Sequence, residues 1–147
     1  MKLSYGLLVI LTLLVATESA SAQDPGPPPR AGSGGGFELE QNYPNPFNPE
    51  TTIPFTLGDE LFVDGNPVVV SLRIFNLLSQ PVAVPVALSH PAGAGVEVRS
   101  LEYAQPGRHE AFWDGTDQSG RQVASGIYFM QLTVNGQSVS RRMYVLK

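Results

Sequence analysis

The chain of 147 residues contains no cysteine. No disulfide can therefore staple its fold, and no cysteine near the N-terminus can carry a lipid. Lysine is almost missing as well, since Lys2 and Lys147 are the only two. With the arginines few and scattered and a formal net charge of −4, the chain lacks the basic footprint of a nucleic-acid binder and the polybasic patch of a membrane-surface protein. Histidine is limited to His90, beside Pro91 in a loop, and His109 on a strand. Metal sites cluster more imidazoles or thiolates than two distant histidines supply. No serine stands in a Gly-x-Ser-x-Gly elbow, although a Ser-His-Asp arrangement converging only in space stays open. The expectation is a protein that is not an enzyme, with no catalytic, cofactor-binding or metal residues and no cofactor.

Long apolar runs are also short in supply. Lys2, the apolar stretch 7–15 and Ala20-Ser-Ala22 have the order of a secretory signal peptide, residues 1–22, cut after Ala22. The alternative is a membrane anchor, but the run falls short of the roughly 20 residues that span a bilayer. No integral span is expected in the mature chain. Residues 23–36 read as a disordered linker, with a proline-rich extended first half and a glycine coil after it.

From residue 37 onward, helical periodicity gives way to alternation. Ile53, Phe55 and Leu57 share one face of a strand over Thr51–Leu57, where Pro54 argues for an edge position. Residues 58–67 read as a loop or hairpin tip turning at Asp64-Gly65. Val70, Leu72 and Ile74 line the next strand, Val68–Phe75. Residues 76–79 turn the chain into 80–88, where Val82, Val84, Val86 and Leu88 share a face. A loop at 90–95 leads to a strand over 96–103, and Gln105-Pro-Gly107 turns into a strand over 108–113. Tyr128, Met130, Leu132 and Val134 form another one-faced strand, and Asn135-Gly136 is a strong hairpin signal before a last strand over 138–146. About seven short strands with no helix predict an all-β, antiparallel Ig-like sandwich. Its expected core contains Ile53, Phe55, Leu57, Val70, Leu72, Ile74, Trp113, Tyr128, Met130 and Leu132.

Three blocks stand out. In residues 41–49, Asn42, Pro44, Asn45, Pro46, Asn48 and Pro49 form a rigid double turn, because each proline excludes helix and asparagine caps turns with its own side chain. Tyr43 and Phe47 within it are expected to pin the turn to the core. In the second block, Trp113 is either a core aromatic or, if exposed, a carbohydrate platform. Asp114, Gly115, Asp117 and Gly120 after it suit a turn with Asp side chains bonded to the backbone; calcium is the alternative, though no bidentate acid follows at the needed distance. Gly126 belongs to a hairpin block, Val123-Ala-Ser-Gly-Ile-Tyr-Phe129. The third block is the basic end, Arg141, Arg142 and Lys147 flanking an apolar stretch.

Together these blocks closely resemble the C-terminal sorting domains of type IX secretion cargo, which are similar to the Ig-like domain of flagellar hook-capping proteins. The resemblance spans roughly residues 37–147, with extra residues at about 58–67 and 89–104. The related domains usually carry glycine where Ser79 stands, which speaks against a left-handed residue there. The resemblance implies a non-catalytic domain that directs export through the type IX machinery to the cell surface or medium. It also implies recognition of the last strand with Arg141, Arg142 and Lys147, and removal by a surface sortase-like peptidase. Sorting domains normally follow a large cargo, whereas only the residues 23–36 separate signal from sandwich here. The alternative is a secreted Ig-like structural or adhesion module. It would self-associate through an open sheet edge, with the exposed-looking Ile127 and Phe129 as its signal; a second buried face is their other explanation.

Overall fold

Alternation becomes strand over much of residues 32–147, the part of the chain that the computed structural model describes. The expected signal peptide, 1–22, and the expected linker up to residue 31 lie outside the described residues. Among the described residues ten strands form: β1 (Ser33–Gly34), β2 (Phe37–Leu39), β3 (Thr51–Leu57), β4 (Val68–Phe75), β5 (Pro81–Ala83), β6 (Val86–Ala87), β7 (Leu101–Tyr103), β8 (Gly107–Trp113), β9 (Gly126–Val134) and β10 (Gln137–Val145). One antiparallel sheet has the order β1-β2-β3-β8-β6. The other runs β10-β9-β4, with β5 and β7 sharing the far side of β4. The two pack as an Ig-like sandwich. Inward residues of β3 (Ile53, Phe55, Leu57) and β8 (Ala111, Trp113) meet those of β4 (Val70, Leu72, Ile74), β9 (Tyr128, Met130, Leu132) and β10 (Val139, Met143, Val145), all of them buried.

Ten strands rather than seven arise from three short pieces. The glycine stretch expected as coil contains β1, which turns through Gly35 and Gly36 to pair with β2. The stretch 80–88 divides into β5 and β6, because β5 lies on β4 and β6 on β8 in the opposite sheet. The chain must cross between layers at Val84 and Pro85. The buried residues there are Ala83, Pro85 and Ala87, while Val82, Val84 and Val86 are half-buried and Leu88 is exposed. The phase is thus opposite to that expected: alanine and proline, not the valines, take the inward positions at the crossing.

Other expectations change for similar reasons. β3 is not an edge, since β2 covers one side and β8 the other. Pro54 is accommodated where β2 ends: its carbonyl accepts from Glu40 N–H at 3.0 Å, and it has no N–H to return. Residues 58–67 are no hairpin tip, because β3 and β4 belong to different sheets; a 3-10 turn, Asp59–Phe62, makes the transfer. Of the strand expected over 96–103, only β7 is regular. Upstream of it, the Val98 N–H donates to Pro85 O at 2.9 Å and its carbonyl accepts from Leu72 N–H at 2.7 Å. Val98 thus ties the crossing segment to β4 instead of extending a ladder. Ser79 does adopt the left-handed region, φ 59°. Asn76 holds it there, its Oδ1 accepting from both Leu78 and Gln80 N–H at 3.0 Å.

Candidate functional site at the C-terminal strand

The three sequence blocks, the first more than sixty residues from the second, meet at one end of the sandwich. Phe47 is buried between the sheets, its ring edge-on to Trp113 at 5.3 Å, and Trp113 is edge-on to Tyr128 at 6.0 Å. Trp113 is only 3% exposed and donates from Nε1 to Thr116 O at 2.9 Å. It is a core residue and offers no carbohydrate platform. Tyr128 opens β9 and donates its hydroxyl to Ala124 O at 2.9 Å, a tyrosine corner of the Ig-like kind; burial pushes its phenol pKa up.

Residues 41–49 form a clamp along the outer edge of β10. Phe47 N–H donates to Tyr144 O and Phe47 O accepts from Leu146 N–H, both at 3.0 Å. Asn45 Oδ1 accepts from Tyr144 N–H at 3.0 Å, and Gln41 Nε2 donates to Arg142 O at 3.0 Å. Inside the clamp, the buried Asn42 donates from Nδ2 to Thr51 Oγ1 at 3.0 Å and Pro44 O at 3.2 Å. Pro44, Pro46 and Pro49 each follow a cis peptide bond, and Asn48 is exposed between the last two. The edge groups that a strand normally leaves open are covered here by the chain's own main chain and amides. Tyr43 does not pin the core: it is 47% exposed and donates to Glu110 Oε1 at 2.6 Å. That hydrogen bond raises its own pKa and lowers that of Glu110. Arg108 completes the surface network, 2.8 Å from Glu110 and 3.1 Å from Glu40.

The clamp and the Trp113 loop also touch. Gly115 has φ 76°, and a Cβ there would collide with the Pro49 carbonyl oxygen. Asp114 Oδ1 accepts from Thr116 N–H at 2.9 Å, and Asp117 Oδ1 accepts from Ser119 N–H at 2.9 Å and Arg121 N–H at 3.1 Å. The Ser119 hydroxyl, donating to the same oxygen at 2.6 Å, and then those backbone bonds hold the Asp117 carboxyl below the usual range. Both carboxylates close backbone turns, with Gly120 at φ 79° ending the second and Gly126 starting β9. A cavity of about 580 Å³ opens beside this loop, and its Arg99 and Glu97 pair with each other at 3.0 Å.

The basic residues separate. Arg141 shares the inward face with Val139 and Met143, and its Nε donates to Leu39 O, joining β10 to β2 of the other sheet. Arg142 points outward, beside Phe129 in register. Lys147 N–H is held by Ser125 Oγ at 3.0 Å. The displayed surface therefore comprises Arg142 and the exposed Tyr144 and Leu146, next to half-buried Phe129 and Ile127. A groove of about 380 Å³ runs between Gln41, Phe129, Arg142 and Tyr144. Sequence alternation places Arg142 and Tyr144 on one face, but it carries no signal that Gln41 would line the same groove.

The FlgD Ig-like domain family model matches residues 69–138, from within β4 to the start of β10. Among solved structures, the chain is similar to dimeric latent PorU from Porphyromonas gingivalis, with 18% identity and a TM-score of 0.50, covering 75% of this chain and 9% of that one. PorZ, an essential bacterial surface component of the type-IX secretion system of Porphyromonas gingivalis, aligns with 19% identity and a TM-score of 0.44 over 74% of this chain and 11% of that one. The chain thus spans about a tenth of either protein, and the likeness is one of Ig-like fold. No curated protein matches it. Among the described residues, no helix is long and apolar enough to cross a membrane.

Proposed function

We propose that this sandwich is a non-enzymatic sorting domain that addresses the protein to the type IX secretion machinery, and that the outward face of β10 is what the machinery reads. The observation carrying this reading is the convergence at one end. Phe47, Trp113, Gly115 and residues 41–49 all hold the last strand in place, while Arg142 and Tyr144 remain displayed beside a groove. A rigidly held strand with a cation and an aromatic on its open face is preorganised for a protein partner. In this reading the protein crosses the inner membrane behind a cleaved signal peptide and passes from the periplasm to the surface or medium. A sortase-like peptidase cuts ahead of the sandwich. The family resemblance of the three blocks supports it.

Removing β10 would unfold the sandwich, because β10 pairs with β9 along its whole length. The informative variant is Arg142→Glu with Tyr144→Ser, both at exposed positions. The expected outcome in a type IX host is folded protein retained in the periplasm; secretion at the wild-type level would defeat the assignment to this face. A second reading, a self-associating surface module, is favoured by the row Phe75, Phe129 and Ile127, half-buried on the outer face of the sheet. It predicts that Phe129→Lys shifts a larger species to monomer in size-exclusion chromatography, and an unchanged profile counts against it.

A further inference from the structure

The outer faces of the two sheets handle charge differently. On the sheet containing β3 and β8, Arg108 is paired with Glu40 and Glu110. In the loops, Arg99 and Arg121 pair with Glu97 and Asp117. On the outer face of the other sheet, Arg73 and Arg142 are exposed, and neither forms an ion pair among the described residues. Arg142, Phe129 and Phe75 make one row across β10, β9 and β4, with Pro81 of β5 beyond them. Arg73 stands in the next row, beside Gln131. The two cations therefore bracket the phenyl pair, roughly 12 Å apart from Cα to Cα on the diagonal of the sheet. Among the described residues, Glu102 is the one carboxylate on the strands of this face, and it lies beside Val69 at the far end.

The complementary chemistry is at the other end of the molecule. Between β3 and β4, Asp59, Glu60 and Asp64 are exposed, and none of them pairs with a cation among the described residues. Leu61 and Phe62 pack against the core and fix this loop, while Val63 is left 86% exposed among the acids. The Asn66 side-chain amide and N–H donate to Asp64 at 2.9 and 3.1 Å, holding its carboxyl below the usual range. The loop precedes β4 and Phe75 ends it. A strand of that length spans about 25 Å, so loop and face cannot meet within one molecule.

We propose that the two patches join copies of this chain head to tail, the acidic loop of one copy seated on the Arg73 and Arg142 face of the next. Asp59, Glu60 and Asp64 meet the two guanidiniums, and Val63 packs on Phe75 and Phe129. Complementary charge selects this arrangement, because two such faces placed together would crowd four guanidiniums. A loop on a face is a heterologous contact, which propagates as a chain instead of closing as a two-fold dimer. Its small area puts it in the transient class, and its charges make it sensitive to salt. The inference rests on the self-association reading and supplies its geometry.

Sedimentation velocity tests it, on protein purified from a host that expresses the full chain. The wild type should gain mass as its concentration rises to about 1 mM, where even weak contacts are populated. It should return to monomer in about 1 M salt, which screens charges beyond about 3 Å. Arg73→Ser with Arg142→Ser blocks the face, and Asp59→Ser with Val63→Ser blocks the loop. All four positions are exposed, so both variants should melt as the wild type does. Each variant alone should stay monomeric. Mixed in equal amounts, they should form a dimer and stop there, since one intact loop meets one intact face. A wild type that is monomeric throughout would overturn the self-association reading and this inference with it. A loop variant that associates as the wild type does would overturn the inference alone and leave association through Phe129 standing. A mixture that stays monomeric would likewise overturn the pairing of loop with face.

Discussion

Two aromatic corners sit toward the two ends of β8, and they differ in one respect. Around Trp113, rings meet edge-on and both the indole N–H and the Tyr128 hydroxyl reach main-chain carbonyls. Around Tyr103, rings meet in the same edge-on manner, with Phe55 at 5.6 Å as well as the two histidines, yet the hydroxyl ends without a partner. Ring packing alone does not tell a satisfied corner from an unsatisfied one. The completeness of its hydrogen bonds does. One corner fixes the strand proposed as an address, and the other carries a buried hydroxyl whose hydrogen bond is unmade.

Breaking the Trp113 corner should have the largest effect. Trp113→Ala is expected to cost about 3–5 kcal/mol in urea denaturation, and a loss under about 1 kcal/mol would show that the corner does not carry the core. Gly115→Ala should follow at about 1–3 kcal/mol from the left-handed backbone alone, with the Pro49 carbonyl adding to it, so that both the clamp and the Trp113 loop loosen. The same substitution made in the two corners should then give opposite signs. Tyr128→Phe loses a satisfied bond, costing about 1 kcal/mol, whereas Tyr103→Phe relieves an unmade one and raises stability by up to about 1–3 kcal/mol. Equal signs in paired melts would erase the distinction. Ser79→Gly relieves a left-handed serine and should stabilise by about 0.5–1 kcal/mol, part of the gain being offset by unfolded-chain entropy.

The smallest effect is in pH. Burial, opposed by the Gln105 carbonyl and aided by His90, lowers the His109 pKa from 6.5. The unfolded chain then takes up the proton first, so stability is complete above about pH 7 and falls as pH drops through 6.5. The lowered carboxyls Asp64, Glu110 and Asp117 act in a separate window, losing their contribution only as pH falls through the carboxylate range. Urea midpoints of wild type and His109→Gln between pH 7.5 and 5.5 should diverge; parallel curves would remove His109 from the account.

Much of the fold was legible in alternation. β4, β8, β9 and the Asn135-Gly136 hairpin follow directly from period-two patterning and turn chemistry, since each lies in one sheet with one buried face. The failures share a cause: where the chain changes sheets, neither face is consistently inward. Residues 80–88 and 96–100 therefore show a misleading phase, and Pro54 reads as an edge although β2 simply stops beside it. At the face proposed for recognition, alternation separates Arg141 from Arg142 once the strand is recognised, but the shared charge masks it. The Tyr103 corner was not legible, because His90, Tyr103 and His109 lie in three different segments and only the fold brings them together.

The central claim is that the sandwich itself is the export address. The most direct test places a passive reporter after residue 31, between signal peptide and sandwich, in a host with type IX machinery and in a strain lacking its translocon. The account predicts the reporter at the surface or in the medium of the first strain and in the periplasm of the second. A reporter that stays in the periplasm of both, with the sandwich folded and protease-resistant, would contradict it.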